Sequence, residues 1–150
     1  MLASTSYQLE DVQWTPDLST GENFIDIQHI ELYRMVNVLV QGDKHGMPNA
    51  ELKENIDFLQ NYVVYHFGEE EKGMEKYNYP EMESHKKMHR DFVAAVESIA
   101  APFSMQGDNS DLLHKLADVG LKWLDQHIRK QDTKLAAFFK QAAEQHGAAY

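Results

Sequence analysis

Cysteine is absent from this chain, which excludes disulfides, thiolate zinc sites and iron–sulfur clusters at once. Long apolar runs are missing too: no stretch approaches the ~20 residues needed to span a bilayer. The opening residues, Met1 to Gln8, hold no basic residue followed by an apolar run, so no secretory signal is expected. Basic residues are scarce, 14 Lys and Arg against 24 Asp and Glu, for a formal net charge of −10. Phosphate backbones repel such a chain, and nucleic acid is not an expected partner. No segment alternates with the period of a strand, and neither an internal repeat nor a low-complexity tract occurs. What remains is an ordinary globular balance, 43% hydrophobic and 25% charged over 150 residues. That fits a single domain, 1–150, in a cytoplasmic protein. One abundance breaks the pattern: a chain without cysteine carries eight histidines.

The spacing predicts four long helices. Residues 1–22, with Trp14-Thr15-Pro16-Asp17, read as an irregular arm. A first helix is expected from Asn23, a candidate cap with Asp26 three residues on, to about Gln41. A Gly- and Pro-bearing loop, 42–48, leads to a second from about Asn49 to Tyr77. Asn78-Tyr79-Pro80 turns the chain, with Pro80 in the first turn of a third helix that ends near Pro102. A Gly, Asp and Ser segment, 104–110, leads to a fourth from about Asp111 into the mid-140s, and residues 147–150 are expected to fray. Four helices with short connections predict an all-α, up-down-up-down four-helix bundle, arm 1–22 and bundle about 23–145.

Inward faces follow from spacings of three and four. The first helix presents Ile25, His29, Leu32, Val36 and Leu39, and the second Leu52, Ile56, Leu59, Val63, His66, Glu70 and Tyr77. The third presents Met82, His85, His89, Phe92, Val96, Ile99 and Phe103. The fourth carries two neighbouring stripes, Leu116-Gly120-Trp123-His127 and Leu121-Leu124-Ile128-Asp132-Leu135-Phe139. Each seam is apolar apart from a few polar positions: His29, His66, Glu70, His85, His89, His127 and Asp132. A lone histidine on such a stripe is usually a satisfied core residue. Seven polar residues are another matter, because burying each unpaired costs on the order of 1–3 kcal/mol. Their depths differ by about 15 Å at most, at ~1.5 Å per residue, so they form one layer that a shared metal centre would satisfy.

His66 and Glu70 are four apart, as are His85 and His89, and each pair shares a helical face. His127 and Asp132 are five apart, about 140° around an α-helix at ~100° per residue. They are therefore expected to contact different ions rather than chelate one. Glu69 and Glu71 point off the seam and read as solvated charge. Five imidazoles and two carboxylates exceed one tetrahedral zinc and are too nitrogen-rich for calcium or magnesium. They suit two first-row transition ions, with the carboxylates able to bridge. Neither Glu-x-x-His nor His-Glu-x-x-His occurs, so a carboxylate-rich ferritin-like site and zincin hydrolysis lack support. The nitrogen-rich set leans towards reversible redox rather than oxygen cleavage.

The runs Ile25-Asp26-Ile27-Gln28-His29, His66-Phe67-Gly68-Glu69-Glu70, His85-Lys86-Lys87-Met88-His89 and Trp123-Leu124-Asp125-Gln126-His127-Ile128-Arg129-Lys130-Gln131-Asp132 resemble the hemerythrins, and among them the bacteriohemerythrins. The resemblance runs from about Trp14 to Asp132. It implies a non-haem di-iron centre, oxo- or hydroxo-bridged, that binds O2 reversibly as a peroxide. By the family pattern His85, His89 and His127 ligate one iron, and His29 and His66 ligate the other, which keeps a position open. Glu70 and Asp132 bridge the pair. Leu32, Phe67, Trp123, Leu124 and Ile128 match the family's hydrophobic oxygen pocket, though plain core packing accounts for them equally. The implied role is oxygen transport, storage or delivery to an oxygen-consuming enzyme, not catalysis; an oxygen or redox sensor and a peroxidase- or oxidase-type di-iron enzyme are the competing readings. Gly68 and Gly73, inside the second helix, depart from helical preference and would suit either a close helix approach or a local adjustment near the irons. His45, His114 and His146 are expected to play no part, and Tyr33 and Tyr62 are expected to pack in the core.

Overall fold

The computed structural model describes residues 9–145; His146 and the fraying end expected at 147–150 lie outside them. Four helical rods form the expected bundle: α1 (Asn23–His45), α2 (Asn49–Tyr77), α3 (Met82–Ala100), and a fourth rod running from Ser110 to Gln145. That rod is α-helical over α4 (Ser110–Trp123), π-helical over Leu124–Asp132, and α-helical again over α5 (Thr133–Gln145). α1 packs chiefly on α4, α2 on α3, and α3 on α4, and a lighter contact of α1 with α2 closes an up-down-up-down ring. Among the described residues no strand occurs, and no helix is long and apolar enough to cross a membrane.

Both ends of α1 and of α3 differ from the expected ones, each for a local reason, while α2 ends at Tyr77 as expected. α1 continues past Gln41 because Gly42 stays helical; the terminator is Gly46, at φ +90° with its N–H on the Gly42 carbonyl at 2.7 Å. Asn78, in the left-handed conformation, caps α2, with the Tyr79 N–H reaching back to the Met74 carbonyl at 2.9 Å. Pro80 therefore closes the end of α2 instead of opening α3, which starts at Met82 and finishes at Ala100, short of Pro102. At the start of α1 the cap is Glu22, and Asn23 is the first helical residue, without a side-chain cap bond.

Over its described residues, 9–22, the arm is irregular apart from a 3-10 turn at Pro16–Leu18, yet it is well anchored. Leu9 and Leu18 are buried in the main core, and Val12 and Trp14 pack against it. Asn37 of α1 pairs with the backbone of Val12 in both directions. Asp26, one turn before His29, accepts hydrogen bonds from the Ser19 hydroxyl at 2.5 Å and from the Thr20 N–H and hydroxyl at 2.8 Å each. Asp26 thus clamps the arm and does not act in a helix cap.

Buried apolar side chains fall into two clusters. The larger includes Leu32, Val36, Leu39, Leu59, Val63, Phe67, Phe92, Val96, Leu116, Leu124 and Ile128. The smaller comprises Ile25, Met74, Tyr79, Leu135, Ala136 and Phe139. Met74, fully buried, continues the α2 seam after Glu70, where the sequence reading passed on to half-buried Tyr77. Gly73 admits the Phe139 ring, which would meet a Cβ there at 2.6 Å, whereas Gly68 faces open space. The polar seam residues fall where the two clusters meet, with Phe67 and Ile128 of the larger cluster set among them.

Removing the Asp26 clamp should loosen the arm without dissolving the bundle. Asp26→Ala deletes three hydrogen bonds to a charged acceptor and is expected to cost about 2 kcal/mol. In urea unfolding the midpoint should fall with an unchanged slope, and protease should cut before residue 22 more readily. An unchanged midpoint would show that apolar burial alone holds the arm.

Candidate metal centre

All seven polar seam residues meet in one layer, and all are buried: His29, His66 and Glu70 at 0% exposure, Asp132 at 1%, and His85, His89 and His127 at 2–3%. The structure sorts them into two donor sets that share both carboxylates. Glu70, His85, His89, His127 and Asp132 form one set, and His29, His66, Glu70 and Asp132 the other, with the donor atoms of each within 4.8 Å of one another.

The carboxylates divide their oxygens between the sets. Glu70 Oε1 lies 3.3 Å from His85 Nε2 and 3.1 Å from His89 Nε2, and Asp132 Oδ1 lies 3.1 Å from His85 Nε2 and 3.0 Å from His127 Nε2. On the other side Glu70 Oε2 is 3.2 Å from His66 Nε2, and Asp132 Oδ2 is 3.0 Å from His29 Nε2.

The His127–Asp132 contact overturns the expectation that these two side chains diverge. A π-helix bonds i to i+5, so five residues make about one turn. The Leu124–Asp132 stretch is π-helical, and both side chains therefore face the same donor set.

The donor chemistry fits a metal better than it fits hydrogen bonding. His66 Nε2, His89 Nε2, His127 Nε2, Glu70 Oε2 and Asp132 Oδ1 are buried without a hydrogen-bond partner, although each has an opposite-type donor 3.0–3.2 Å away. Their lone pairs pass each other and converge. First-row ions bond imidazole nitrogen and carboxylate oxygen at ~2.0–2.2 Å, which puts neighbouring ligands of a six-coordinate ion about 3 Å apart. The spacing here is the edge length of such a polyhedron.

Two partners behind the imidazoles escaped the sequence reading. Gln28 Oε1 accepts from His66 Nδ1 at 2.6 Å, and Glu71 Oε2 accepts from His89 Nδ1 at 2.9 Å. Glu71, its side chain 31% exposed, thus keeps one side to solvent and turns the other to His89, whereas Glu69 pairs with Lys72 on the surface. Both stand one residue off a seam position, and only the neighbouring helix reveals what they face. The five apolar residues also converge. Phe67 stacks on the His89 ring at 3.9 Å, and half-buried Trp123 stacks on His127 at 3.8 Å. Leu32, Leu124 and Ile128 are buried in the same cluster. Tyr33 belongs to that cluster and Tyr62 packs against it, as expected. His114 pairs with Asp43 at 2.8 Å, remote from the layer, and His45 closes α1 in an exposed position.

At His29, His66 and His85 burial alone would favour loss of the proton, but the carboxylates override it. Glu70 and Asp132 hold His66 up to about 10, and Asp132 and Glu70 hold His85 up to about 9; His29 is raised by the same two groups. At His127 burial wins, and its proton is held less tightly than usual. Despite complete burial, the surrounding imidazoles hold both carboxyls well below the ordinary carboxylate range.

Comparison with known proteins gives a consistent result. The family model of the hemerythrin HHE cation binding domain matches residues 20–139. A bacteriohemerythrin of Pseudomonas paraeruginosa is 35% identical over 119 residues, covering 79% of this chain and 75% of its own. One from Stenotrophomonas maltophilia is 34% identical over 137 residues, covering 89% and 87%. A myohemerythrin of Theromyzon tessulatum is 26% identical over 125 residues, covering 83% and 91%.

The raised imidazoles set a pH signature for the metal-free chain. Groups with a folded pKa above the unfolded value stabilise fully below the unfolded value, ~6.5, and lose that contribution as pH rises through the folded one. The metal-free thermal midpoint should therefore fall as pH rises from about 6.5 through the values of about 9 and 10 held by His85 and His66. Metal-loaded protein, whose ligand imidazoles are already neutral, should show no such fall. Thermal unfolding across that window, with and without chelator, checks both limbs. A flat metal-free profile would mean that the cluster holds no extra protons.

Proposed function

We propose that this chain, which belongs to the hemerythrin family, binds O2 reversibly at a pair of iron ions and serves in oxygen transport, storage or delivery to an oxygen-consuming enzyme. The observation that carries this reading is the unequal pair of donor sets sharing two carboxylates, five donors against four. His85, His89 and His127 would hold one ion, His29 and His66 the other, and Glu70 and Asp132 would bridge them with an oxo or hydroxo group. Iron supplies the electrons that O2 draws on and returns, which no side chain here can lend. The four-donor set has one protein ligand fewer, and that side is where a small molecule finds room.

The rest of the work is done by the chain's own residues. The five-donor set and the stacked rings of Phe67 and Trp123 fix the imidazole planes. Leu32, Leu124 and Ile128 present hydrocarbon and no proton donor, so water and protons are kept from the small ligand. None of the five apolar residues can act as an acid or base, and among the described residues the two donor sets hold two carboxylates, Glu70 and Asp132. Both features favour a carrier over an enzyme. A cytoplasmic location accords with this role.

The decisive experiment is the visible spectrum of the reduced, iron-loaded protein before air, after air and after oxygen removal, together with metal analysis. About two irons per chain are expected, with an oxygen-dependent band that appears and then disappears. One ion per chain, or a spectrum that does not recover, would overturn the reading.

Leu124 offers a finer test of the apolar wall. It is 2% exposed and stands one turn before His127. Leu124→Ala should cost on the order of 2–5 kcal/mol of stability, as for other buried leucines. It should leave iron content unchanged and speed conversion to the oxidised, oxygen-free form. Stopped-flow decay of the oxygenated band at matched pH measures this, and an unchanged rate at full iron would reduce Leu124 to ordinary core.

A further inference from the structure

The two donor sets differ in what stands behind their imidazoles as well as in number. His66, of the four-donor set, has the amide oxygen of Gln28 on its Nδ1 at 2.6 Å. His89, of the five-donor set, has the carboxylate of Glu71 on its Nδ1 at 2.9 Å. In both rings Nε2 faces a shared carboxylate, Glu70, so Nδ1 carries the proton and donates it outward. Gln28 is 8% exposed, so water does not replace it as the acceptor for His66.

The two acceptors act differently on the far nitrogen. A carboxylate pulls on the Nδ1 proton and builds electron density at Nε2, making the imidazole a stronger metal donor. A neutral amide fixes the tautomer and the ring plane but pulls much less. We infer that Gln28 and Glu71 grade the two metal positions, the amide behind His66 keeping the four-donor position the weaker and more labile and the carboxylate behind His89 tightening the five-donor position. This rests on the two-ion reading above. It adds that the weaker hold at the ligand-binding position is built by an amide where a carboxylate would fit.

The residues are isosteric, so each can be exchanged for the other's chemistry. Cobalt(II) bound to the full chain is withdrawn by a competing chelator and followed by visible absorption, with circular dichroism recording that each variant stays folded. Wild type should release two ions in separate steps, and His29→Ala, which lacks a donor of the four-donor set, should lose the weaker step. Gln28→Glu should tighten that weaker step about tenfold, and Glu71→Gln should loosen the tighter step by about tenfold or more, each narrowing the gap. The double exchange should close or reverse the separation.

A purely structural role predicts that both single variants loosen their sites. Loosening by Gln28→Glu, or an unmoved tight step in Glu71→Gln, would overturn the inference while leaving the two-ion reading intact. Fewer than two ions in wild type would overturn both.

Discussion

Seven ionisable side chains buried in one layer set the terms for the rest of this molecule. Left unpaired at ~1–3 kcal/mol each, they would cost roughly 7–21 kcal/mol, as much as the whole net stability of a typical domain. Mutual attraction meets part of that cost, as the raised imidazoles and depressed carboxyls show. The donors nevertheless pass each other without hydrogen bonding at several atoms. The layer is built for something at the crossing points. Two apolar clusters, one on each side, hold it in place.

Much of this was legible in the sequence because helical spacing is periodic. A residue three or four positions from a buried leucine must face inward, so His29, His66, Glu70, His85 and His89 could be placed in one layer from their neighbours alone. Gln28 and Glu71 were not legible by that rule. Each lies one residue from the seam, about 100° around its helix, where a side chain usually meets water. Both reach an imidazole because another helix presents one: α2 brings His66 to Gln28, and α3 brings His89 to Glu71. Periodicity reads one helix at a time and is blind to such pairs. The clamp on the arm escaped for the same reason, since Asp26 reads as a cap partner until Ser19 and Thr20 are folded against it.

The aromatic rings join packing to the site. Phe67 follows His66 in sequence yet stacks on His89 of the neighbouring helix, with the planes only 5° apart. Trp123 lies one turn before His127 and covers its face at 14°. Phe92 then stacks on Trp123 at 4.4 Å. An imidazole pinned between a ring and a carboxylate has its tautomer and its plane set before any ion arrives. That reduces the ordering left for binding to accomplish. The faces of the same rings are apolar walls, so orientation of the ligands and exclusion of water are served by the same side chains.

The fourth rod carries the least regular piece of backbone, and its sequence shows why. Its inward residues form two neighbouring stripes instead of one. At ~100° per residue, Leu135 would lie about 100° around from Leu116 in a continuous α-helix, yet both are fully buried in the bundle. Either the rod must twist away from its partners or the backbone must absorb the difference. A π-helical stretch does the latter, because each turn takes up more residues and the face advances less per residue. Leu124–Asp132 is that stretch, and it joins the two stripes into one inward face. The junction falls at the metal layer and not elsewhere along the rod. There the five-residue step from His127 to Asp132 becomes one turn, and an aspartate that an α-helix would turn away is brought to bridge both donor sets. The doubled stripe and the five-residue spacing of two polar seam positions were the sequence's signs of it.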